Sequence, residues 1–485
     1  MRLRTFDEPL ELDLTTYAVI GHELLHDRSL YADLWDHKPP AIHVVYAAAD
    51  LLVGYGPQQI YLLNLTAAVV TLFGLFRAGT LLTSQAGGLC AALLWAIGST
   101  FRDWLANQPN TEAFINAALI WAYCAFLSLN ASPSWKGACA FGAAVAVASL
   151  FKQIVVAPAG LIGIVYVLGA GGSPGGRGRA VRHMLLASVV SSLPWAGCAA
   201  WFWGRGHYSD YHDAVFTYNR LYAGSMLANL QANLVPARLG LLALALAPCL
   251  VVLGFAGPAL GPVRRKGWVG LAAWAVGSFI AIALPGHLWA HYLQLWLPIY
   301  ALAGGALVAV LLTRRGRSGW AVLAAMLVPL VTRQALDLRL DGDAWSWSKY
   351  GNNQYCDSRD TGRAIAALVP PDESFYLLGN KTGLYFYSGR SPASGVFYDF
   401  PLARGSPLSA RLEARILDDL ERRPPELIVV EPGYLAPLGG QPAQNAQRLV
   451  SWVSQHYVAC GSFSPRFTRY ARRGSDLARR LAEES

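Results

Sequence analysis

Asp33, Asp36 and Lys38 fall within the run Tyr31-Ala-Asp-Leu-Trp-Asp-His-Lys-Pro-Pro-Ala41, with His37 among them and two prolines directly after the lysine. A further carboxylate, Asp13, lies upstream in Glu11-Leu-Asp-Leu-Thr-Thr-Tyr17. In a water-poor loop Asp13 could act as a general base, taking a proton from an attacking hydroxyl or amine. A solvated loop acid or a helix-cap partner is the plain alternative for it. Lys38 could neutralise a phosphate at a membrane surface, or its stem could simply snorkel to the headgroups. Pro39 and Pro40 restrict the backbone where a lysine would need a fixed aim, which favours the phosphate reading.

Other polar groups gather at four later places. The loop Phe101 to Phe114 ends with Glu112 at the start of an apolar run, where the helix dipole alone would favour a carboxylate. Phe151-Lys152-Gln153 places a cation between two apolar segments, as a phosphate ligand or as an end residue reaching for water. The loop from Arg205 to Arg238 carries His207, Asp210, His212, Asp213, Tyr218, Asn219, Arg220 and Tyr222. His291-Tyr292 opens another apolar run. No metal-ligand spacing stands out in these segments, so no metal is expected. Nucleotide-binding and hydrolase motifs are also missing, so neither a cofactor nor nucleotide hydrolysis is expected.

The elements that must position these groups are membrane helices. The 485-residue chain is 54% hydrophobic and 14% charged, against about 25% charged in soluble domains. Uncharged runs such as 58–76, 78–101, 113–135, 153–176, 184–204, 239–263, 267–286 and 292–313 approach or exceed the roughly 20 residues that cross a bilayer. With shorter stretches at 137–151 and 318–332 the expectation is about ten spans over 58–333. Ahead of them, 1–57 reads as an outer loop with two juxtamembrane helices. The first is capped by Thr15 or Thr16, and the second is opened by Pro39-Pro40 over Ala41 to Val53. Beyond the spans, 334–485 reads as a soluble α/β domain, with strands at 374–378 and 426–430 and helices at 359–368, 410–420 and 443–453. Its tail from Arg472 reads as frayed.

The formal charge of +9 is a topology signal. Basic residues cluster at Arg77, Lys136, Arg177/Arg179/Arg182, Arg264/Arg265/Lys266 and Arg314/Arg315/Arg317, after every second span, as the positive-inside rule predicts. Nucleic acid is therefore excluded as a partner. The cell membrane is the expected location, with all the polar loops above and the 334–485 domain outside the cytoplasm. Cys356 and Cys460, both in that outer domain, are free to pair or not.

Asp13 with Tyr17, then Gly21 and Glu23, Leu30-Tyr31-Ala-Asp33 and His37-Lys38-Pro39-Pro40 together resemble the first outer loop of the GT-C glycosyltransferases. The protein O-mannosyltransferase and aminoarabinose-transferase group is the branch resembled. Asn110-Thr111-Glu112, Phe151-Lys152-Gln153 and His291-Tyr292 fall where members of that group carry similar short motifs. The resemblance implies a polytopic α-helical fold of GT-C type and a polyprenyl-phosphate-linked sugar as donor. It also implies an acceptor outside the cytoplasm (protein, lipid or glycan) and transfer with inversion. By it, Asp13 is the catalytic base and Lys38, Lys152 and Arg220 hold the donor phosphate. Asp33, Asp36, His37, Glu112, Tyr218, Asn219 and His291 then contact the substrates. Relatives carry Asp-Glu where this chain has Asp13-Leu14, so that glutamate's role is either vacant or taken by Glu11, and they carry a span ahead of the loop. The rival expectation is a transporter or flippase of lipid-linked saccharide, which would want charges at mid-span depth.

Overall fold

A computed structural model describes residues 6–171, 175–256, 261–287, 289–403, 406–431 and 446–483. Helix α1 (Leu12–Leu24) is buried almost all round, with Leu14, Tyr17, Ala18, Val19 and Ile20 at 2% exposure or less. A helix buried on nearly every side is part of the core, and each large apolar side chain buried here contributes about 1.5–3 kcal/mol. Its start lies earlier than the threonines suggest. Glu11 precedes the first turn, and Thr15 and Thr16 sit inside the helix with their hydroxyls on Thr382 at 2.8 and 2.9 Å.

Helix α2 (Ala41–Val53) starts behind Pro40 and stops at Gly54, whose φ of 83° a side chain would resist. It packs on α1. Gly21 makes that possible, because a Cβ there would lie 2.7 Å from the Ala47 backbone nitrogen. Val44, Leu51 and Leu52 of α2 point outward, as on a helix lying along a membrane surface.

Ten long helices follow: α3 (Pro57–Leu82), α4 (Gln85–Gly98), α5 (Thr111–Ala131), α6 (Trp135–Ser149), α7 (Val156–Gly169), α8 (Gly176–Gly204), then α12 (Pro236–Ala256), α13 (Pro262–Ala283), α14 (Leu297–Arg315) and α15 (Arg317–Asp337). Between α8 and α12 the polar loop is itself helical, through α9 (Tyr208–His212), a π-turn over Asp213–Tyr218, α10 (Asn219–Ala223) and α11 (Met226–Ala232). Among the described residues, seven helices are long and apolar enough to cross a membrane by length and composition. Helix α5 is the hub, packed against α3, α6, α7 and α13, while α4 packs on α14. Helices α8 and α12 present Leu185, Val189, Leu193, Leu244 and Leu250 outward, as lipid-facing helices do.

After the bundle come α16 (Gly342–Tyr350), α17 (Gln354–Leu368), β1 (Tyr376–Leu378), α18 (Gly383–Ser388), α19 (Phe400–Ala403), α20 (Ser409–Arg422), β2 (Leu427–Val430), α21 (Gln447–His456), β3 (Tyr457–Ser464), β4 (Phe467–Arg472) and α22 (Asp476–Glu483). The sheet runs in the order β1-β2-β4-β3, with β1 and β2 parallel and the β3–β4 hairpin antiparallel. Both expected strands are present, and residues 443–445 of the third expected helix lie outside the described residues. The hairpin was not anticipated, since its β3 burial alternates poorly. The tail is not frayed: α22 buries Leu477 and Leu481 against the hairpin. Cys356 and Cys460 are both free thiols.

This domain does not hang apart from the first loop. Arg415 donates to the carbonyl oxygens of Tyr31 (3.0 Å) and Ala32, and Trp35 N donates to Gly395 O at 2.9 Å. A Cβ on Gly395 would sit 2.0 Å from the Asp33 carbonyl oxygen, so only glycine allows the two backbones to meet. Residues 6–54 are thus held between the bundle and the sheet.

Candidate active site

Asp13 stands in the first turn of α1, where the dipole favours a carboxylate. Its Oδ2 accepts a 2.9 Å hydrogen bond from Asn110 Nδ2 and lies 4.0 Å from His291 Nε2, and about 30% of the side chain stays exposed. Burial works against its charge, but Lys38, His291 and the Asn110 bond outweigh it and hold the carboxyl below its ordinary value. Asn110 also donates to Glu11 Oε1 at 3.2 Å. Glu11 takes the opposite course: burial, with the Asp13 charge next, pushes it up to about 8.

Lys38 faces the same space. Its Nζ is 3.1 Å from His37 Nε2 and 5.7 Å from the centre of the Tyr17 ring. Among the described residues it forms no ion pair, and although burial opposes its charge, Asp13 and Asp36 raise its pKa. Its backbone is fixed by Tyr31 Oη donating to the Lys38 carbonyl at 2.7 Å and by the two prolines behind it. Asp36 lies beneath the loop at 2% exposure. It accepts from His37 N (2.7 Å) and Tyr398 Oη (2.9 Å), and His43 Nε2 is 3.1 Å away. Despite burial, Lys38 and these contacts hold its pKa well below the ordinary value. Burial and Lys38 lower that of His37. A neutral His37 accepts from Lys38 through Nε2, which places its own proton on Nδ1, 3.2 Å from Asp36.

The third piece comes from the bundle. Asn110 caps α5, its Oδ1 accepting from Thr111 N at 2.7 Å, so Glu112 is not the cap. Glu112 is fully buried and pairs instead with Lys152 at 2.9 Å, and the Lys152 ammonium rests 3.6 Å from the Tyr292 ring centre. Glu11, Asp13 and His291 bring ligand atoms within 4.8 Å of one another, a set that could hold a metal ion. No local spacing could disclose it, because His291 arrives from a helix start 278 positions after Asp13.

Residues 37–201 match the family model for dolichyl-phosphate-mannose-protein mannosyltransferases. No curated protein matches the chain by sequence. Among solved structures, ArnT from Cupriavidus metallidurans bound to undecaprenyl phosphate superposes with a TM-score of 0.61 at 16% identity, covering 97% of this chain and 95% of that one. The oligosaccharyltransferase AglB from Archaeoglobus fulgidus, in complex with an inhibitory peptide and a dolichol-phosphate, gives 0.55 at 12% identity, covering 98% of this chain and 72% of that one. Another structure of the Archaeoglobus enzyme, a complex with Zn and sulfate, gives 0.54. The chain has the GT-C glycosyltransferase fold. Its long apolar helices are those of a membrane protein.

On this GT-C frame the residues singled out in the sequence separate into two groups. Asp13, Lys38, His37, Glu112, Lys152 and His291 come together in one cluster of interacting charges. Asp36 belongs with them and is buried beneath the loop. Asp33 does not: it is exposed, caps its own turn by accepting from Ser29 N at 2.7 Å, and lines a separate cleft with Arg28 and Arg415. Arg220 is exposed on α10 and is not among the charges acting on Asp13. Tyr218 is buried against Trp35 (5.0 Å) and His37 (5.3 Å), and Asn219 donates to the His37 carbonyl at 2.7 Å. Both steady the loop from behind. Glu8, Lys349, Tyr350 and Tyr398 were missed, since ordinary polar residues far from any motif carry no signal until the fold brings them in.

Proposed function

We propose that the protein is an inverting glycosyltransferase of the extracytoplasmic membrane face, moving a sugar from a polyprenyl-phosphate donor to a hydroxyl or amine acceptor. One observation carries this reading: an ionised, part-exposed Asp13 is held by the charge of Lys38, a fixed cation with no ion-pair partner among the described residues. Asp13 accepts the acceptor's proton as the acceptor atom attacks the anomeric carbon. The bond from that carbon to the phosphate oxygen breaks, and the polyprenyl phosphate leaves as a stable anion that needs no general acid. Lys38 stabilises that anion. Lys152 contributes less, because Glu112 already balances its charge. The lipid phosphates in the ArnT and AglB structures support the donor class.

Glu11, Asp13 and His291 also fit a divalent cation. Two carboxylates and an imidazole suit such an ion, and a cation between Glu11 and Asp13 would relieve the repulsion that raises Glu11. These three residues would hold it, and it would supply charge stabilisation to the phosphate. Sugar transfer in vitro from a polyprenyl-phosphate donor tests the main reading. Asp13→Asn should fold normally and lose about 10²–10⁴-fold in kcat, the usual share of general-base catalysis. Wild-type kcat in that variant would remove Asp13 from the role.

A further inference from the structure

Helix α16, the first element after the last long helix, docks into the opposite end of the chain. Asp341 caps it, accepting from Ala344 N at 2.8 Å. A Cβ on Gly342 would come 2.4 Å from the Asp7 carbonyl oxygen, so the helix start lies directly on the segment before α1. From this helix Lys349 ion-pairs with Glu8, both side chains fully buried, and donates to Asn107 Oδ1 at 2.9 Å. Glu8 is saturated further: it accepts from Asn107 (2.9 Å), Gln108 (3.0 Å) and Trp345 Nε1 (3.2 Å). The next residue, Tyr350, donates to Glu11 Oε2 at 3.3 Å and lies 3.4 Å from Gln108 Oε1. Glu11 and Asp13 are in turn bridged by the two donor contacts of Asn110.

A buried ion pair is seldom worth more than well-packed apolar residues would be, so stability alone does not account for Glu8–Lys349. Its best-attested use is to fix register. Here the register is that of residues 8–13 against 107–110, which meet at Glu8, Glu11 and Asp13. We propose that Lys349 and Tyr350 are positioning residues for Asp13, so that the segment following the bundle completes the active site instead of merely covering it. They touch no reacting atom in the proposed reaction. They act through Glu8, Glu11 and Asn110. This rests on Asp13 being the base.

The test uses the full chain in detergent, with Tyr350→Phe as the main variant. It removes one oxygen and keeps the ring that packs on Tyr355 at 4.5 Å. We expect kcat to fall about tenfold with donor KM within about twofold, the pattern of a lost transition-state alignment. Amide exchange should quicken at residues 10–15 and 107–112 and nowhere else. Glu8→Gln with Lys349→Met, which removes both charges together, should do the same without lowering Tm. Arg411→Ala, which cuts a different tie from this domain to Asp213, should leave kcat unchanged. Unchanged kcat and exchange in Tyr350→Phe would overturn the proposal, as would kcat, KM and Tm falling together. If the wild-type chain transfers no sugar at all, the proposed function fails, and the exchange pattern alone decides whether α16 positions Asp13.

Discussion

Replacing Lys38 and Lys152 in turn by methionine asks two different questions of residues that look alike in sequence. Methionine keeps an apolar stem of similar length and removes the charge. Lys38 has a histidine nitrogen at 3.1 Å and an aromatic ring, but no carboxylate partner among the described residues. Its loss leaves no anion stranded at contact distance, and the change should be felt by the donor. A charge-assisted contact is worth about 1.5–3 kcal/mol, which is roughly ten- to over a hundredfold in donor affinity. Lys152 balances a Glu112 carboxylate that is fully buried. Removing one partner of such a pair costs about 3–5 kcal/mol of stability, several degrees or more in Tm for a chain of this size. Donor titration and thermal unfolding of the two purified variants separate the outcomes: Lys38→Met should lose donor affinity and keep its Tm, and Lys152→Met should lose Tm. An unchanged donor affinity in Lys38→Met would refute the phosphate assignment. A Lys152→Met variant as stable as wild type would refute the argument from Glu112 burial.

Topology reporters fused after Arg182, Lys266 or Arg317 should read cytoplasmic and one at residue 340 external; a cytoplasmic signal at 340 would invert the arrangement. Glu11, raised from 4.5 to about 8, favours folding fully below pH 4.5, and that contribution is lost as pH rises toward 8. With a chelator present, Glu11→Gln should therefore flatten the decline of Tm across that window, and parallel wild-type and variant curves would contradict the burial argument. Adding a divalent cation to chelator-treated protein should raise Tm in the wild type and not in His291→Ala; equal responses would mean that the ion binds elsewhere.

Much of the architecture was legible because its causes are local. A run of apolar residues of bilayer length is a span wherever it stands, and the basic clusters at alternate connections follow from the cost of moving charge across lipid. Asp13, Lys38 and His291 were legible as candidates because charge and imidazole at the margin of apolar runs are costly to keep. Both ends of helix α2 were legible, since Pro40 and Gly54 mark them. The start of α1 was not. Thr15 and Thr16 read as caps by residue type, yet their hydroxyls are taken by Thr382, a residue 366 positions away from Thr16.

The sequence by itself therefore determined the long apolar helices, the first loop with its acid and its lysine, and the presence of an α/β segment after them, all products of composition and short-range periodicity. Only the tertiary structure decided which charges work together. Asp36 and Asp33 are three residues apart, and one is buried under His37 while the other faces solvent in a turn. Lys38 and Lys152 act on one another, and Glu112 neutralises one of them. Asn110 joins Glu11 to Asp13, and Tyr350 donates to Glu11 from the segment after the bundle. Ionisation and aim depend on distances of a few ångströms between segments hundreds of residues apart, and a linear pattern does not encode those distances until the bundle and the sheet have packed.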